Sequence, residues 1–354
     1  MKRPGAGPVG PLEVSLASEV SILVPCRNEA RTIYQVLEAI YQQTYPRERI
    51  EVIVAEGQSE DGTQDQIDRF IQDRSDLRVA VIDNPDRSAP AGLNRALAQA
   101  RGEFILRMDA HAIPDADYVA RCVETLRETR SDGVGGAWEI QPGGAGAVAG
   151  GIAIAAAHPF GVGDARYRIG GKPGWVDTVP FGAYRREVFD RVGLFDERVA
   201  VNEDYDFNYR LRAAGGKIYF NPEIRSRYFA RGTLRALSRQ YYRYGFQKAT
   251  MLSYHPGSLR WRQMAAPLFV LALLLFGLAG LRSQRLAEVF LAEIGAYLFL
   301  AVGSALHQAL RRKDATLILT LPLAFATMHL SWGTGFWLGQ LRAAARQMGA
   351  ERKA

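Results

Sequence analysis

From residue 264 to residue 341 only 8 of 78 positions carry a charge. A stretch so poor in charge belongs inside a lipid bilayer or a very large core, and this chain is too short to build the latter around it. Three apolar segments fill the stretch, near 264–281, 286–310 and 315–341. The first approaches, and the other two exceed, the ~20 residues that a helix needs to cross hydrocarbon. Three spans are expected; two remain an alternative, because the middle segment carries Glu288 and Glu293, which must face protein or the interface. Arg311, Arg312 and Lys313 favour a cytosolic loop between the second and third segments, whereas Arg342, Arg346, Arg352 and Lys353 pull the basic tail, 342–354, to the same side.

The rest of the charge is polarised. The whole chain has 44 basic and 37 acidic residues, a net charge of +7, which by itself points to an anionic partner. Residues 1–204 nevertheless hold 23 basic and 31 acidic side chains, and residues 205–263 hold 12 and 2. An acidic front half repels nucleic acid, so no nucleic-acid partner is expected. Cys26 and Cys122 are too few and too distant for a disulfide framework or a metal knuckle. Residues 1–19 read as a flexible tail without the continuous apolar stretch of a signal peptide, so the soluble portion is expected in the cytosol, on a cell membrane crossed several times.

After that tail, short apolar runs alternate with helical patterns. Strands are expected at 20–25, 50–55, 78–82 and 104–108, with helices near 30–43, 64–73 and 91–100. This spacing predicts an α/β fold with a mostly parallel sheet and helices on both faces. Ligands of such sheets sit at the carboxyl ends of the strands. There the chain places Pro25, Cys26, Arg27, Asn28 and Glu29, then Glu56 and a Gly57–Thr63 turn, and finally Asp109 and His111. Neither G-x-G-x-x-G nor a P-loop is present, which weighs against a dinucleotide oxidoreductase and a P-loop nucleotidase.

Asp109 and His111 are two apart in an expected extended segment, so their side chains share a side and suit a Mn²⁺ or Mg²⁺ ion bridging nucleotide phosphates. The plainer alternative is an acid that caps the next turn. The Gly- and Ala-rich residues 135–151 suit a substrate loop or small-residue packing. Asn202 precedes Glu203, Asp204 and Asp206 at a helix start, where capping and the helix dipole alone can account for three acids.

These residues together resemble family 2 glycosyltransferases, inverting enzymes of the GT-A fold. The resemblance is closest to the membrane-bound glucosyltransferases of succinoglycan-type exopolysaccharide assembly. It is carried by four signatures in order: VPCRNE, GQSEDGT, MDAHA, and NEDYD with RQYYRYG downstream. It implies a nucleotide-sugar-binding half at 20–115 and an acceptor-side half at 116–230. Pro25, Arg27, Glu29, Glu56 and Asp109 then face the nucleotide sugar, with Glu56 standing where the family has Asp. Asp109 and His111 correspond to the D-x-D metal motif, His111 replacing the second acid. Asp204 corresponds to the general base, with Glu203 and Asp206 as alternatives or acceptor contacts. Gln240 and Arg243 match the Q-x-x-R-W signature beside the donor diphosphate, with Tyr244 in place of Trp.

Residues 231–263 are expected to form a basic amphipathic region. Leu234, Leu237, Tyr241 and Tyr244 share one face of a helix while Arg235, Arg239 and Arg243 recur every four on another. Such a helix is expected to lie at an anionic membrane surface, the alternative being an ordinary helix packed on the catalytic domain with solvated arginines. The resemblance implies metal-dependent transfer of a hexose, such as glucose from UDP-glucose, to a polyprenyl-diphosphate-linked sugar at the bilayer. The rivals are a polyprenyl-phosphate hexose synthase and a nucleotide-sugar sensor or scaffold without turnover.

Overall fold

A computed structural model describes residues 19–199 and 201–351, so the expected tail at 1–19 lies almost wholly outside the described residues. The chain begins with β1 (Val20–Cys26), α1 (Ile33–Tyr41), β2 (Ile50–Glu56), α2 (Thr63–Asp73), β3 (Arg78–Asp83), α3 (Ala89–Gln99) and β4 (Phe104–Arg107). β1 runs parallel to β2 from Val20 opposite Ile50 and parallel to β4 from Val20 opposite Phe104, and β3 adds to the outer edge of β2. Val20, Ile22, Leu23 and Val24 are fully buried, as a strand covered on both faces requires. Each such side chain contributes about 1.5–3 kcal/mol of burial, so the run has no other stable place. α1 buries Ile33, Val36, Leu37 and Ile40, the i, i+3, i+4, i+7 stripe of a helix facing the core on one side.

The second half is mixed. β5 (Ala112–Pro114), α4 (Tyr118–Thr129), β6 (Gly133–Gln141), α5 (Ala147–Ala156), α6 (Pro159–Val162), α7 (Arg166–Ile169), β7 (Gly174–Val176), β8 (Ala183–Arg185), α8 (Glu187–Val192), α9 (Glu203–Ala213) and β9 (Ile218–Phe229) complete it. The sheet order is β3-β2-β1-β4-β8-β6-β9-β5, with β7 also on β9. β8 is antiparallel to both β4 and β6, whereas β6 and β9 are parallel with a bulge between Gly135 and Ala137. The expected parallel sheet is therefore the amino-terminal half of a larger mixed one. The Gly- and Ala-rich stretch resolves into the end of β6 and α5, whose buried Ala149, Ile152 and Ala155 make small-residue packing the better account of it.

α10 (Leu234–Tyr254) leads to α11 (Trp261–Gly280), α12 (Gln284–Arg312) and α13 (Leu317–Glu351). All three of the last helices are long and apolar enough to cross a membrane. α13 runs on through most of the expected basic tail and packs against α5 and α10. The buried face of α10, Leu237, Tyr241, Gly245 and Lys248, is thus covered mainly by α13, one of the apolar helices, rather than by the sheet domain. Arg262 at the start of α11 bonds Asp177 and Asp164 at 2.6 and 2.9 Å, tying that helix to the loops after β7 and α6.

Candidate active site

The first two signature turns are sewn to each other. Backbone N–H groups of Asn28, Glu29 and Ala30 donate to Ser59 Oγ, Thr63 Oγ1 and Asp61 Oδ2 at 2.8, 2.8 and 3.2 Å, and Glu60 N–H donates to Asn28 Oδ1 at 3.0 Å. The Glu56 carboxylate accepts from the N–H groups of Gln58 and Ser59, both at 2.8 Å. These polar residues satisfy a backbone that leaves the strands without ladder partners. Glu56 is absent from the residues that line the adjoining cleft, whereas Pro25, Arg27 and Glu29 line it.

Asp109 and His111 both line the cleft, by a different route from the extended one expected. β4 ends at Arg107, and Ala112 N–H donates to the Asp109 carbonyl at 3.0 Å. The segment is a tight turn between β4 and β5, and the turn rather than strand alternation brings the pair together. His111 Nδ1 lies 2.9 Å from Glu29 Oε1. Burial works against charging this imidazole, but the Glu29 bond and the nearby Asp109 outweigh it and raise its pKa.

Arg107 organises the acids. Its side chain is 7% exposed and lies 2.9 Å from Asp109 and 3.4 Å from Asp204, while also bonding Glu203. One guanidinium thus gathers three carboxylates from β4's end and α9's start, a compensation without which burying them would be prohibitive. Burial, partly offset by Arg107, pushes Glu203 up to about 7. Asp204 is raised for the same reason, again with Arg107 opposing, and it accepts from Tyr205 N–H at 2.7 Å. Asn202 occupies the cap position in a left-handed conformation and its side chain makes no cap bond, so it is not the N-cap expected of it. Asp206 is fully buried on another face of α9, paired with Arg210 at 2.8 Å, with His255 Nε2 3.1 Å away but not hydrogen-bonded to it, and is not among the cleft-lining residues.

α10 supplies the facing wall with Arg239, Gln240, Tyr241, Arg243 and Tyr244. Gln240 donates to Tyr228 Oη at 3.1 Å and to Tyr244 Oη at 2.9 Å. Lys248, one turn on, is buried against the Tyr205 ring and donates to the Ser258 carbonyl at 2.9 Å; burial pushes it down to about 7. The sequence reading missed both Arg107 and Lys248. An arginine closing the buried run Phe104–Arg107 was the available signal, since a charge there demands partners; Lys248 in a basic helix gave none.

The donors suit a divalent cation. Among the described residues no group of three or more His, Cys, Asp or Glu side chains converges as a metal cage. A hard cation shared with substrate phosphates needs only one or two protein ligands, however. Asp109 offers a carboxylate, and Glu29 holding Nδ1 leaves His111 Nε2 as the donor, the usual support for a metal-binding imidazole.

The chain matches the family described as "Glycosyl transferase family 2" over residues 21–193. It is 32% identical over 318 residues to the succinoglycan biosynthesis protein ExoA of Rhizobium meliloti (strain 1021), spanning 89% of this chain and 93% of that protein. It is 25% identical over 334 residues to a dolichyl N-acetyl-alpha-D-glucosaminyl phosphate 3-beta-D-2,3-diacetamido-2,3-dideoxy-beta-D-glucuronosyltransferase of Methanococcus voltae, spanning 91% and 97%. The fold is similar to that of mannosyltransferase PcManGT from Pyrobaculum calidifontis, solved with GDP-Man and Mn²⁺, at a TM-score of 0.59 and 22% identity, spanning 91% of this chain and 87% of that one.

Proposed function

The chain belongs to glycosyl transferase family 2, and from that premise we propose that it is a membrane-attached inverting hexosyltransferase of exopolysaccharide or related surface-glycan assembly. The donor is a nucleotide sugar, UDP-glucose first among those to be tried, and the acceptor is a sugar linked to a polyprenyl diphosphate. The catalytic domain faces the cytoplasm and α11, α12 and α13 cross the membrane.

One observation carries this reading: Arg107 collects Asp109, Glu203 and Asp204 beside a wall that presents Gln240 and Arg243. Inversion requires the acceptor hydroxyl to attack the anomeric carbon opposite the departing diphosphate. A new C–O bond forms there, the bond to the diphosphate oxygen breaks, and the hydroxyl proton passes to a carboxylate. Asp204 suits that task because it borders the cleft and its raised pKa makes it a stronger base than an exposed aspartate. Glu203 is more deeply engaged by Arg107, and Asp206 is held away from the cleft by Arg210.

Arg243 and Gln240 meet the charge that grows on the leaving diphosphate. Pro25, Arg27 and Glu29 border the nucleotide, and Glu56 orders the turn beside it through its own backbone bonds. Mn²⁺ or Mg²⁺ held by Asp109 and His111 supplies further positive charge to the diphosphate when bound. The test is release of UDP and a mass increase of the lipid-linked sugar, using the full chain in detergent with UDP-glucose and Mn²⁺. No product from any of a panel of nucleotide sugars would refute the reading. Turnover with bare polyprenyl phosphate as acceptor, insensitive to Asp204→Asn, would favour a polyprenyl-phosphate hexose synthase instead.

A further inference from the structure

The cleft is about 1010 Å³, at the top of the ~300–1,000 Å³ that one small ligand requires, and it continues away from the acids. A chain of ring contacts marks the way: the Arg107 guanidinium lies 5.8 Å from the Phe181 ring, Phe181 lies 5.2 Å from Trp138, and Trp138 stacks on Tyr228 at 4.3 Å. On Trp138 lies a second guanidinium, that of Arg168 in α7, at 4.7 Å. The same cleft is also lined by Phe160, Phe269 and Met328, contributed by α6, α11 and α13.

The two guanidinium groups have opposite settings. Arg107 is surrounded by three carboxylates, whereas among the described residues no carboxylate pairs with Arg168, nor with Arg231, Arg239 or Arg243 on the same cleft. Stacking on an indole engages the face of a guanidinium and leaves its N–H edges free to bind an anion. Arg168 is therefore preorganised and uncompensated. The apolar part of the cleft wall makes few polar demands of its own. Tyr297 Oη and His329 Nδ1 bond each other at 3.0 Å, His329 Nε2 bonds the Phe160 carbonyl at 2.9 Å, and Phe269 stacks on Tyr297 at 4.6 Å. α11 and α13, which form this wall, are apolar enough to cross a membrane.

We propose that this arm receives the acceptor as an anionic lipid, with the diphosphate on the edge of Arg168 and the hydrocarbon chain along Phe160, Phe269 and Met328. It rests on the reading that the acceptor is polyprenyl-linked. Charge complementarity fixes the head and the apolar wall fixes the tail; a water-soluble glycan would use neither. In this placement Arg243 is left for the donor diphosphate and Arg168 for the acceptor's, so two polyanions share one cleft without sharing a cation.

The experiment uses the full chain in nanodiscs with UDP-glucose and two acceptors, a long-chain and a short-chain polyprenyl-diphosphate-linked sugar. Arg168→Gln should raise the acceptor KM roughly ten- to a hundredfold, as expected for a lost charge-assisted hydrogen bond, with the UDP affinity unchanged. Arg168→Lys should recover part of the loss. Met328→Trp should penalise the long chain more than the short one. Equal acceptor KM values in all variants would overturn the proposal, as would a parallel rise in donor KM.

Binding of a polyprenyl diphosphate without donor provides the arm's independent readout. If the unaltered chain binds that lipid and Arg168→Gln weakens it, the arm stands even where no sugar is transferred and the functional reading has failed. Equal competition by phosphatidylglycerol, or by inorganic diphosphate alone, would overturn the lipid assignment.

Discussion

Gly245 of α10 lies so close to α13 that a Cβ on it would stand 2.1 Å from the Trp332 carbonyl oxygen. Gly335 of α13 meets α10 the same way, 2.2 Å from the Tyr242 carbonyl oxygen. Because α10 also carries Gln240 and Arg243, this backbone contact sets the distance between the cleft wall and the apolar helices.

A side chain at this contact must push the helices apart. Gly245→Val should cost about 1–3 kcal/mol and lower the unfolding midpoint by roughly 1–4 °C, with a matching loss of turnover as Gln240 and Arg243 shift. Thermal unfolding in detergent measures the first and UDP release the second. An unchanged midpoint would show that the two helices separate freely.

The acids of α9 divide by position. Asp204→Asn should lower kcat roughly a hundred- to ten-thousandfold, the range for losing a positioned base, with donor KM little changed. Asp206→Asn should instead leave Arg210 without its buried anionic partner, and so lower the unfolding midpoint more than the chemistry. Steady-state kinetics beside thermal unfolding distinguishes the two; the reverse pattern would exchange their roles.

The parallel half of the sheet was legible because strands buried on both faces read as short apolar runs, as Val20–Cys26 and Ile50–Glu56 do. The mixed half was not. β9 breaks its alternation at Asn221 and Pro222, although 224–229 alternate buried and exposed with arginines on the exposed side, and a proline within a run argues against a strand. Asp204's place on the cleft was legible from the NEDYD signature. Its dependence on Arg107 was not, since 97 residues separate them and only the fold joins β4's end to α9's start. The cover on α10 was hidden likewise: a helix with one apolar face gives the same pattern whether lipid or α13 lies against it.

The imidazole bond between Glu29 and His111 predicts a metal phenotype for a residue that is no ligand. Glu29→Gln should weaken Mn²⁺ binding in the presence of UDP roughly ten- to a hundredfold, as loss of a supporting carboxylate does elsewhere, and His111→Ala should weaken it at least as much. Free Mn²⁺ titrated by electron paramagnetic resonance reads this without turnover. Mn²⁺ affinity unaffected by either change would remove the pair from the metal site. His111→Asp restores two acids and should shift the preference toward Mg²⁺, whose ligands are oxygen.

The pH profile tests the electrostatics around Asp204. Burial raises its pKa while Arg107 opposes, and only the unprotonated carboxylate can take the acceptor's proton. As pH falls through the raised value, that form disappears and kcat/KM should drop tenfold per unit, so the acid limb lies above the ~4 of an exposed aspartate. Removing the nearby cation destabilises the anion further. Arg107→Met should therefore move the limb to still higher pH, while Arg107→Lys, which keeps the charge, moves it less. UDP affinity and circular dichroism confirm folding of both variants. A limb at the ordinary aspartate value, or one that moves down in Arg107→Met, would mean that another group limits the reaction and that Arg107 does not tune the base.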